Sequence, residues 1–356
     1  MPHLLLAGHF GCGNLGDDAI MLGFVGALSG DYELTLMSGS PELTFRNYNI
    51  RSIPRRDFNV FKYEVERSDA LVFCGGSIFQ DVTSAQSVGY YASLVKIAKK
   101  AGKKVFLVGQ GVGPLKGGCA KGWAKNAFNM ADAIVCRDPA SPGLLKSIGV
   151  NRPVQIGADC AFLLTPPQNA DETTFGVGNM KTVGIAPRPF GKNPKDAIQM
   201  FGELARLLSQ QQLVPVMVEL DSKFDGPLIM EIGKALGGKV PEIRKLDTPS
   251  QLQARLARLD SIISMRLHGG ILAATVGVPA MMLSYDPKVA AFAKMMGFDS
   301  PLTTEGLTAQ RILDNFLQFR KDRDRYDKIL AQRMDEFKKG AMLNVEVVMD
   351  SFRSKS

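Results

Sequence analysis

Short apolar segments alternate with longer amphipathic segments along most of this chain, and this alternation limits the folds open to it. Apolar segments of strand length followed by helical periodicity are typical of βαβ units, whose strands pair in parallel. One series ends before residue 164 and a second begins after residue 181. We therefore predict an α/β protein with two Rossmann-like domains that face each other across a cleft. The predicted strands lie near residues 2–8, 33–38, 70–75, 104–109, 133–137 and 154–157, then 182–187, 213–219, 261–265 and 279–284.

The length of the chain also favours two domains. At 356 residues it exceeds the size, about 250–300 residues, at which a single hydrophobic core stops growing. The segment 164–181 is rich in proline, glycine and polar residues, which is typical of a linker. We predict an N-terminal domain over 1–168, a C-terminal domain over 182–305, and helices over 306–356 that pack across both domains with a solvated, mixed-charge face.

Composition excludes several classes of protein. The formal charge of +8 favours phosphorylated ligands or anionic lipid headgroups, but no Lys/Arg tract interleaved with aromatic residues indicates nucleic-acid binding. Five scattered cysteines are expected to be reduced and buried, and no CxxC or HExxH spacing predicts a metal site. No apolar run approaches the roughly 18 residues of a membrane span. We expect a cytoplasmic protein, and peripheral contact with the inner face of the plasma membrane stays open.

A glycine motif of the form GxGxxG, residues 11–16, follows the first predicted strand and precedes a helix. A dinucleotide site would also have an acidic residue after the next strand, where this chain has Ser38 and Gly39, so NAD is disfavoured. The motif has no Lys-Ser/Thr pair, so it is not a phosphate-binding P-loop either. We expect no organic cofactor.

The polar residues of this first turn have two interpretations. Asn14 and Asp17 either cap the helix that follows, or hydrogen-bond the hydroxyls of a sugar beside Gly13. Cys12 is a weak candidate for a nucleophile, because His9 is the only basic residue evident near it.

Two more glycine-rich turns follow strands of the first domain. One contains Gly75 and Gly76, and the other contains Gln110 between two glycines. Each is either a plain turn or a place where a flexible ligand lies against backbone amides. Because both follow strands of one sheet, we predict that they line a substrate crevice.

Cationic residues also follow strands, and this pattern predicts a site for an anionic ligand. Arginine binds carboxylate and phosphate through its planar fork, and lysine supplies a compact charge. His268 lies within Arg-Leu-His-Gly-Gly at a helix start, where backbone amides can face an anion. The strand-end cations are Arg137, Arg188, Arg266, His268 and Lys288.

Taken in order, six segments resemble the polysaccharide pyruvyl transferases, specifically the bacterial CsaB type, over residues 4 to 300. The family fold resembles the two-domain GT-B glycosyltransferases. The resemblance implies transfer of a pyruvyl group from phosphoenolpyruvate to a sugar as a cyclic ketal, with release of phosphate. It further implies N-acetylmannosamine in a lipid-linked cell-wall precursor as acceptor, and a role in anchoring surface-layer proteins. The segments are GHFGCGNLGDDAIM, FCGGSIFQD, VGQGVGPL, CRDPASPGLL, GADCAFLL and SMRLHGGILAATVGVPAMMLSYDPKV.

The resemblance also assigns roles to residues. Arg266 and His268 match the family's donor-site Arg-x-His motif, and Lys288 matches its donor-site lysine. Arg137 matches the arginine of an RDxxS segment, which either contacts the donor or supports the cleft. We add Arg188 from its strand-end position.

Catalytic roles follow from the same assignment. His268 is the expected general acid/base, and Asp17 is a weaker candidate for taking a proton from the sugar. The expected acceptor-binding residues are Gly13, Asn14, Asp17, Gly75, Gly76 and Gln110.

Two departures from the family pattern concern the acceptor: Ser77 replaces a common third glycine, and Cys12 stands at a variable position.

The sequence leaves two other functions open. One is a GT-B glycosyltransferase that uses a nucleotide sugar, and the other is a protein that binds anions or polymers without turnover.

Overall fold

The chain forms two compact units, each built around a parallel sheet, which confirms the predicted α/β class. A computed structural model describes residues 1–82, 84–167, 175, 180–191, 193–238 and 240–353. The first unit comprises Met1–Cys12, Asp17–Leu164 and Glu336–Ser356, and the second comprises Gly13–Gly16 and Thr165–Asp335. Much of the predicted linker, residues 168–174 and 176–179, lies outside the described residues.

The sheet of the first unit has seven strands in the order β3-β2-β1-β4-β5-β6-β7. Six of them fall where apolar segments predict strands. The strand β3 was not predicted, because it has three residues and ends in Pro54, too few to show periodicity. The strands are β1 (His3–Ala7), β2 (Glu33–Ser38), β3 (Ser52–Pro54), β4 (Ala70–Phe73), β5 (Lys104–Gln110), β6 (Ala133–Cys136) and β7 (Gln155–Ile156).

Helices cover this sheet, and several begin at side chains that accept backbone N–H groups of the first turn. Asp57 accepts from Asn59 and Val60 before the third helix, and Ser84 accepts from Gln86 before the fourth. The helices are α1 (Leu15–Ala27), α2 (Pro41–Tyr48), α3 (Phe58–Arg67), α4 (Ala85–Lys100), α5 (Gly118–Met130) and α6 (Ala140–Ser147).

The first unit is completed by the end of the last helix. Phe337 stacks on Phe162 with ring centroids 4.6 Å apart. Asn344 is fully buried and donates from Nδ2 to the carbonyl of Ala158 at 2.8 Å. At Gly157 a Cβ would lie 2.6 Å from the carbonyl oxygen of Gly340, so the backbones approach too closely for any side chain there.

The sheet of the second unit has six strands in the order β10-β9-β8-β11-β12-β13. Two of them, at its edges, have only two residues each and were not predicted. The strands are β8 (Lys181–Ala186), β9 (Leu213–Val218), β10 (Glu242–Ile243), β11 (Ser261–Ser264), β12 (Ala280–Ser284) and β13 (Leu302–Thr303).

Helices of the second unit follow the predicted βα rhythm. Its core includes Ile312 and Phe316 from the first of the two C-terminal helices. Among the described residues, no helix is both long and apolar enough to cross a bilayer. The helices are α7 (Pro194–Gln210), α8 (Asp225–Ala235), α9 (Pro249–Leu256), α10 (Leu267–Thr275), α11 (Pro287–Met296), α12 (Ala309–Lys321) and α13 (Arg323–Asp350).

All five cysteines are free thiols and all lie in the described part of the chain. The prediction that they are buried is wrong for two of them. Cys119 is exposed in the first turn of α5, and Cys12 is half-buried in the loop after β1. Both lie outside the strand-like apolar runs that suggested burial.

Candidate functional site

The carboxyl edge of the second sheet collects the cations that were predicted to follow its strands. Strands β8, β11 and β12 are neighbours and run parallel, so their carboxyl ends share one edge of the sheet. Arg188 follows β8, Arg266 and His268 follow β11, and Lys288 follows β12. The structure therefore brings together four of the five predicted donor-binding residues, because a parallel sheet puts all its strand ends on one side.

Arg266 is buried at this edge and is held by an aspartate. Its Nε donates to Asp225 Oδ1 at 2.9 Å, and its Nη2 contacts the same oxygen. Asp225 is fully buried and its Oδ2 accepts the backbone N–H of Asp221 at 3.0 Å. Burial raises the pKa of Asp225, and the charge of Arg266 opposes that rise. The guanidinium is thus fixed in orientation before any ligand arrives.

Asp225 was missed by the sequence reasoning. It is the first residue of α8, a position where an aspartate ordinarily reads as a helix cap. Its partner Arg266 is 41 residues further along the chain, so no local spacing links the two.

Arg188 and Lys288 are half-buried and lie beside polar groups of the same unit. Arg188 donates from Nη1 to the hydroxyl of Tyr285 at 2.8 Å, with its guanidinium 4.5 Å from the centre of the tyrosine ring. Burial raises the pKa of Tyr285, so its hydroxyl keeps its proton at neutral pH. Lys288 Nζ lies 3.5 Å from Asp286 Oδ2. One aspartate therefore faces the lysine, and a neutral phenol faces the arginine.

His268 is the second residue of α10 and packs against the start of α1. A Cβ added to Gly16 would overlap its imidazole ring at Nδ1, so the close approach requires glycine there. The segment Gly13–Gly16 groups with the second unit, where the N–H of Leu15 donates to the carbonyl of Leu220 at 2.8 Å. The sequence assigns Gly13 and Asn14 to the N-terminal domain, so this grouping was not foreseen.

The polar residues of the first turn make local hydrogen bonds. Asn14 Oδ1 accepts the N–H of Gly16 at 3.0 Å, as expected of a cap. Asp18 is buried, and its Oδ1 accepts the N–H of Gly11 at 2.8 Å. Burial raises the pKa of Asp18 to about 6. Asp17, the predicted weaker base, is half-buried in the same helical turn. Asn14 thus makes the hydrogen bond that the capping interpretation predicts, its contact with a sugar stays a prediction, and Asp18 stabilises the same turn.

The two other glycine turns meet at the carboxyl edge of the first sheet. The N–H of Gly111 donates to the carbonyl of Gly76 at 2.9 Å, and Gly75 and Gly76 both have positive φ angles, 138° and 95°. Gln110 is fully buried, and its Nε2 donates to the carbonyl of Phe73 at 3.1 Å. Its Oε1 has no hydrogen-bond partner among the described residues. Gln110 thus links the end of β5 to the end of β4 through a hydrogen bond, and its side-chain oxygen is a hydrogen-bond acceptor that no described residue uses.

Arg137 lies in the first unit, whereas the other predicted donor residues belong to the second. It is buried, with Nη1 2.6 Å from Asp159 Oδ2 and Nη2 2.7 Å from Ser77 Oγ. Asp159 in turn accepts the N–H of Ala161 at 2.9 Å, at the start of the short helix Cys160–Leu163. Of the two roles left open for Arg137, these contacts match support of the Ser77 turn.

Cys12 has a second basic neighbour that the sequence did not reveal. Arg55, which follows β3, donates from Nη1 to Cys12 Sγ at 3.3 Å and lies 3.0 Å from His9 Nδ1. Its Nη2 donates to Tyr91 Oη at 2.7 Å. Since β3 itself could not be predicted, Arg55 could not be recognised as a strand-end residue.

Comparisons with known proteins agree on one family and one fold. Residues 14–287 match the family model described as polysaccharide pyruvyl transferase. The amylovoran biosynthesis protein AmsJ of Erwinia amylovora is 23% identical over 360 residues, covering 83% of this chain and 86% of AmsJ.

Solved structures show the same architecture at low sequence identity. A putative UDP-N-acetylglucosamine 2-epimerase from Listeria monocytogenes has a TM-score of 0.69 and 12% identity, covering 100% of this chain and 98% of its own. Anabaena HepE, solved in complex with UDP-glucose, has a TM-score of 0.59 and 13% identity, with 99% of each chain covered. These likenesses show a GT-B-like fold and nothing about the reaction.

Proposed function

We propose, from the premise that this chain belongs to the polysaccharide pyruvyl transferase family, that it transfers the pyruvyl group of phosphoenolpyruvate to a sugar. The product is a cyclic ketal that bridges two hydroxyls of the sugar, and inorganic phosphate is released. Membership supports the class of reaction, and the residues at the edge of the second sheet support the choice of donor.

The observation that carries this proposal is the set of cations that follow the carboxyl ends of three adjacent strands, β8, β11 and β12. Phosphoenolpyruvate has a carboxylate and a phosphate, so it needs more than one cationic contact. The guanidinium of Arg266 is already oriented by Asp225, and a planar fork binds either anion with two hydrogen bonds. Arg188 and Lys288 supply further positive charge at the same edge.

The proposed reaction proceeds in three steps. The donor C3 takes a proton, which makes C2 cation-like. One sugar hydroxyl attacks C2 and loses its proton, and the C2–O bond to phosphate breaks. The second hydroxyl then attacks C2, loses its proton and closes the ketal. His268 is the proposed general acid/base because an imidazole exchanges protons near neutral pH, and Asp17 is the weaker candidate for deprotonating the acceptor.

The proposed acceptor is a saccharide, which agrees with the name of AmsJ, a protein of amylovoran biosynthesis. The resemblance to the CsaB type suggests N-acetylmannosamine within a lipid-linked cell-wall precursor, whose ketal anchors surface-layer proteins. A lipid-linked acceptor would bring the enzyme to the inner face of the plasma membrane, and the charge of +8 favours contact with anionic headgroups. The proposed acceptor-binding residues are Gly13, Asn14, Asp17, Gly75, Gly76 and Gln110, and we propose no cofactor besides the donor phosphoenolpyruvate.

A glycosyltransferase that uses a nucleotide sugar is the rival function. Its support is the fold shared with proteins such as HepE, whose structure contains UDP-glucose. That likeness concerns the fold alone, whereas the family match spans residues 14–287 and therefore includes Arg266 and His268.

A direct assay separates the candidate functions. Purified protein is incubated with phosphoenolpyruvate and a panel of p-nitrophenyl disaccharides and lipid-linked saccharides. We expect phosphate release that depends on the acceptor, and a product heavier than the acceptor by pyruvate less one water. Release of a nucleoside diphosphate from a nucleotide sugar would instead establish glycosyl transfer. Binding of phosphoenolpyruvate with no turnover on any acceptor would favour an anion-binding protein.

A further inference from the structure

Four side chains of the first unit form a cluster around a thiol: Cys12, His9, Arg55 and Tyr91. Arg55 lies at the centre of the cluster. One nitrogen, Nη1, is 3.3 Å from Cys12 Sγ and 3.0 Å from His9 Nδ1, and the other, Nη2, is 2.7 Å from Tyr91 Oη. The carbonyl of Arg55 accepts a hydrogen bond from Tyr90 Oη. Arg55 is therefore held at both its backbone and its side chain, and it presents an N–H to the sulfur.

The contacts of Cys12 favour its ionised form. Burial opposes ionisation, but the hydrogen bond and charge of His9, together with the charge of Arg55, hold the pKa of the Cys12 thiol below its usual value. The pKa of His9 is raised in turn, chiefly by its hydrogen bond with Cys12. A protonated thiol has one weaker alternative, donation to the carbonyl of Phe10 at 3.4 Å.

All the elements packed around this thiol contribute to its electrostatics. His9 and Arg55 are basic, and Asp17 on α1 raises the pKa of His9. Tyr90 and Tyr91 on α4 have raised pKa values through burial, so both hydroxyls stay neutral. Gly39 lies against the sulfur, since a Cβ there would lie 2.6 Å from Sγ, and Cys12 remains half-exposed. The two basic residues thus dominate the surroundings of the sulfur.

The other cysteines have no such surroundings. Cys74, Cys136 and Cys160 are buried, and burial raises the pKa of each thiol, to about 12 for Cys136. Cys119 is exposed on α5, which makes it the natural internal reference for reactivity.

We propose that Cys12 is a site of covalent modification, a nucleophilic thiolate that hydrogen peroxide oxidises to a sulfenic acid. The sulfur attacks one peroxide oxygen and the O–O bond breaks. The leaving hydroxide takes a proton from solvent and departs as water, so the sulfur is oxidised and the peroxide reduced. The proposal does not rest on pyruvyl transfer, and the four side chains of the cluster all belong to the first unit.

Alkylation of the full-length protein by iodoacetamide tests the thiolate directly. Peptide mass spectrometry follows Cys12 and Cys119 separately across a pH series that extends below the ordinary cysteine pKa of about 8.5. At the acid end we expect Cys12 to react about tenfold faster than Cys119. The variant His9→Asn should slow Cys12 about fivefold or more there and leave Cys119 unchanged, because it removes one of the two basic partners.

Two variants keep this test decisive. His9 has an exposed side chain, so His9→Asn is expected to fold even if Arg55→Gln, which loses contacts to two tyrosines, does not. After brief treatment with hydrogen peroxide, dimedone should label Cys12 in the wild type and much less in His9→Asn. Equal alkylation rates at Cys12 and Cys119, unaffected by His9→Asn, or dimedone labelling that avoids Cys12, would overturn the proposal.

Discussion

The carboxyl edges of the two sheets carry different polar groups. In the second unit, Arg188 and Lys288 remain half-buried, the former beside a neutral phenol and the latter beside one carboxylate. In the first unit Arg137 is buried against Asp159, Arg55 lies beside Cys12 and Tyr91, and the turns after β4 and β5 contain glycines and Gln110. A small ligand with two anionic groups suits the cations at the edge of the second sheet. A neutral sugar suits the backbone amides and the amide oxygen at the edge of the first sheet. The comparison therefore separates the proposed donor edge, with two half-buried cations, from an edge whose Arg137 is neutralised by Asp159.

The largest effect is expected from Arg266→Lys at the donor edge. Lysine cannot reproduce the contacts of Nε and Nη2 with Asp225 and also offer a fork to the donor. We expect kcat/KM for phosphoenolpyruvate to fall by about 100-fold or more, measured as acceptor-dependent phosphate release.

Arg244→Lys is the matched control for this change. Arg244 belongs to the same unit and bonds Glu219 and Glu242, each at 3.0 Å. It should keep kcat/KM within about twofold of the wild type. Equal losses in the two variants would mean that the effect of Arg266 is structural.

His268→Asn tests the proposed acid/base. Asparagine retains a polar side chain of similar reach but cannot exchange a proton near neutral pH. We expect kcat to fall by about 100-fold, with the dissociation constant of phosphoenolpyruvate changed much less. Calorimetric titration of the donor, combined with steady-state kinetics, checks both quantities. Near-normal turnover with both substrates bound would remove His268 from this role.

A smaller loss is expected from Gly16→Ala, which acts on His268 indirectly. The added methyl group would overlap the imidazole, so the ring must move. We expect kcat to fall by about tenfold, since small displacements of a catalytic group are costly. Gly26→Ala in the same helix is the control, because a Cβ there meets nothing within 4 Å. It should leave kcat unchanged and stabilise α1 by about 0.5–1 kcal/mol.

The smallest effect, on stability alone, is expected in the first unit from Asp18→Asn. The pKa of Asp18 is about 6 in the folded chain against an ordinary 3.8, so the folded state binds the proton more tightly than the unfolded state. The free energy of unfolding should therefore fall as pH rises through this range, by at most about 3 kcal/mol. Asparagine cannot ionise and can still accept the N–H of Gly11, so Asp18→Asn should flatten this part of the profile.

Urea unfolding of Asp18→Asn across this pH range measures the effect. Asp31→Asn, at an exposed position of the same unit, controls for the lost charge. A pH profile of Asp18→Asn that matches the wild type would show that Asp18 does not titrate there.

The sequence predicts the strands that are long enough to form a recognisable apolar segment, and it therefore also predicts which polar residues follow them. Arg188, Arg266, His268 and Lys288 were identified because each follows a recognisable apolar strand, and parallel pairing then brings them to one edge. The three-residue strand β3 gave no such signal, and Arg55 was missed with it.

Contacts between residues far apart in the sequence could not be predicted from local sequence patterns. The pairing of Arg266 with Asp225 is one example, and the hydrogen bond from Leu15 to the carbonyl of Leu220 is another. Near this second contact, Gly13 and Asn14 group with the second unit. Local spacing carries no information about such pairs, since they depend on how the sheets and loops pack.

The close backbone approach of Gly157 and Gly340 has a consequence for the order of events during synthesis. The first unit needs the second half of α13, including Phe337 and Asn344, to cover Phe162 and Ala158. A ribosome makes these turns only after every residue of the second unit, which ends at Asp335. The first unit is therefore begun first and completed last. The surface that α13 covers stays exposed while the whole second unit is synthesised.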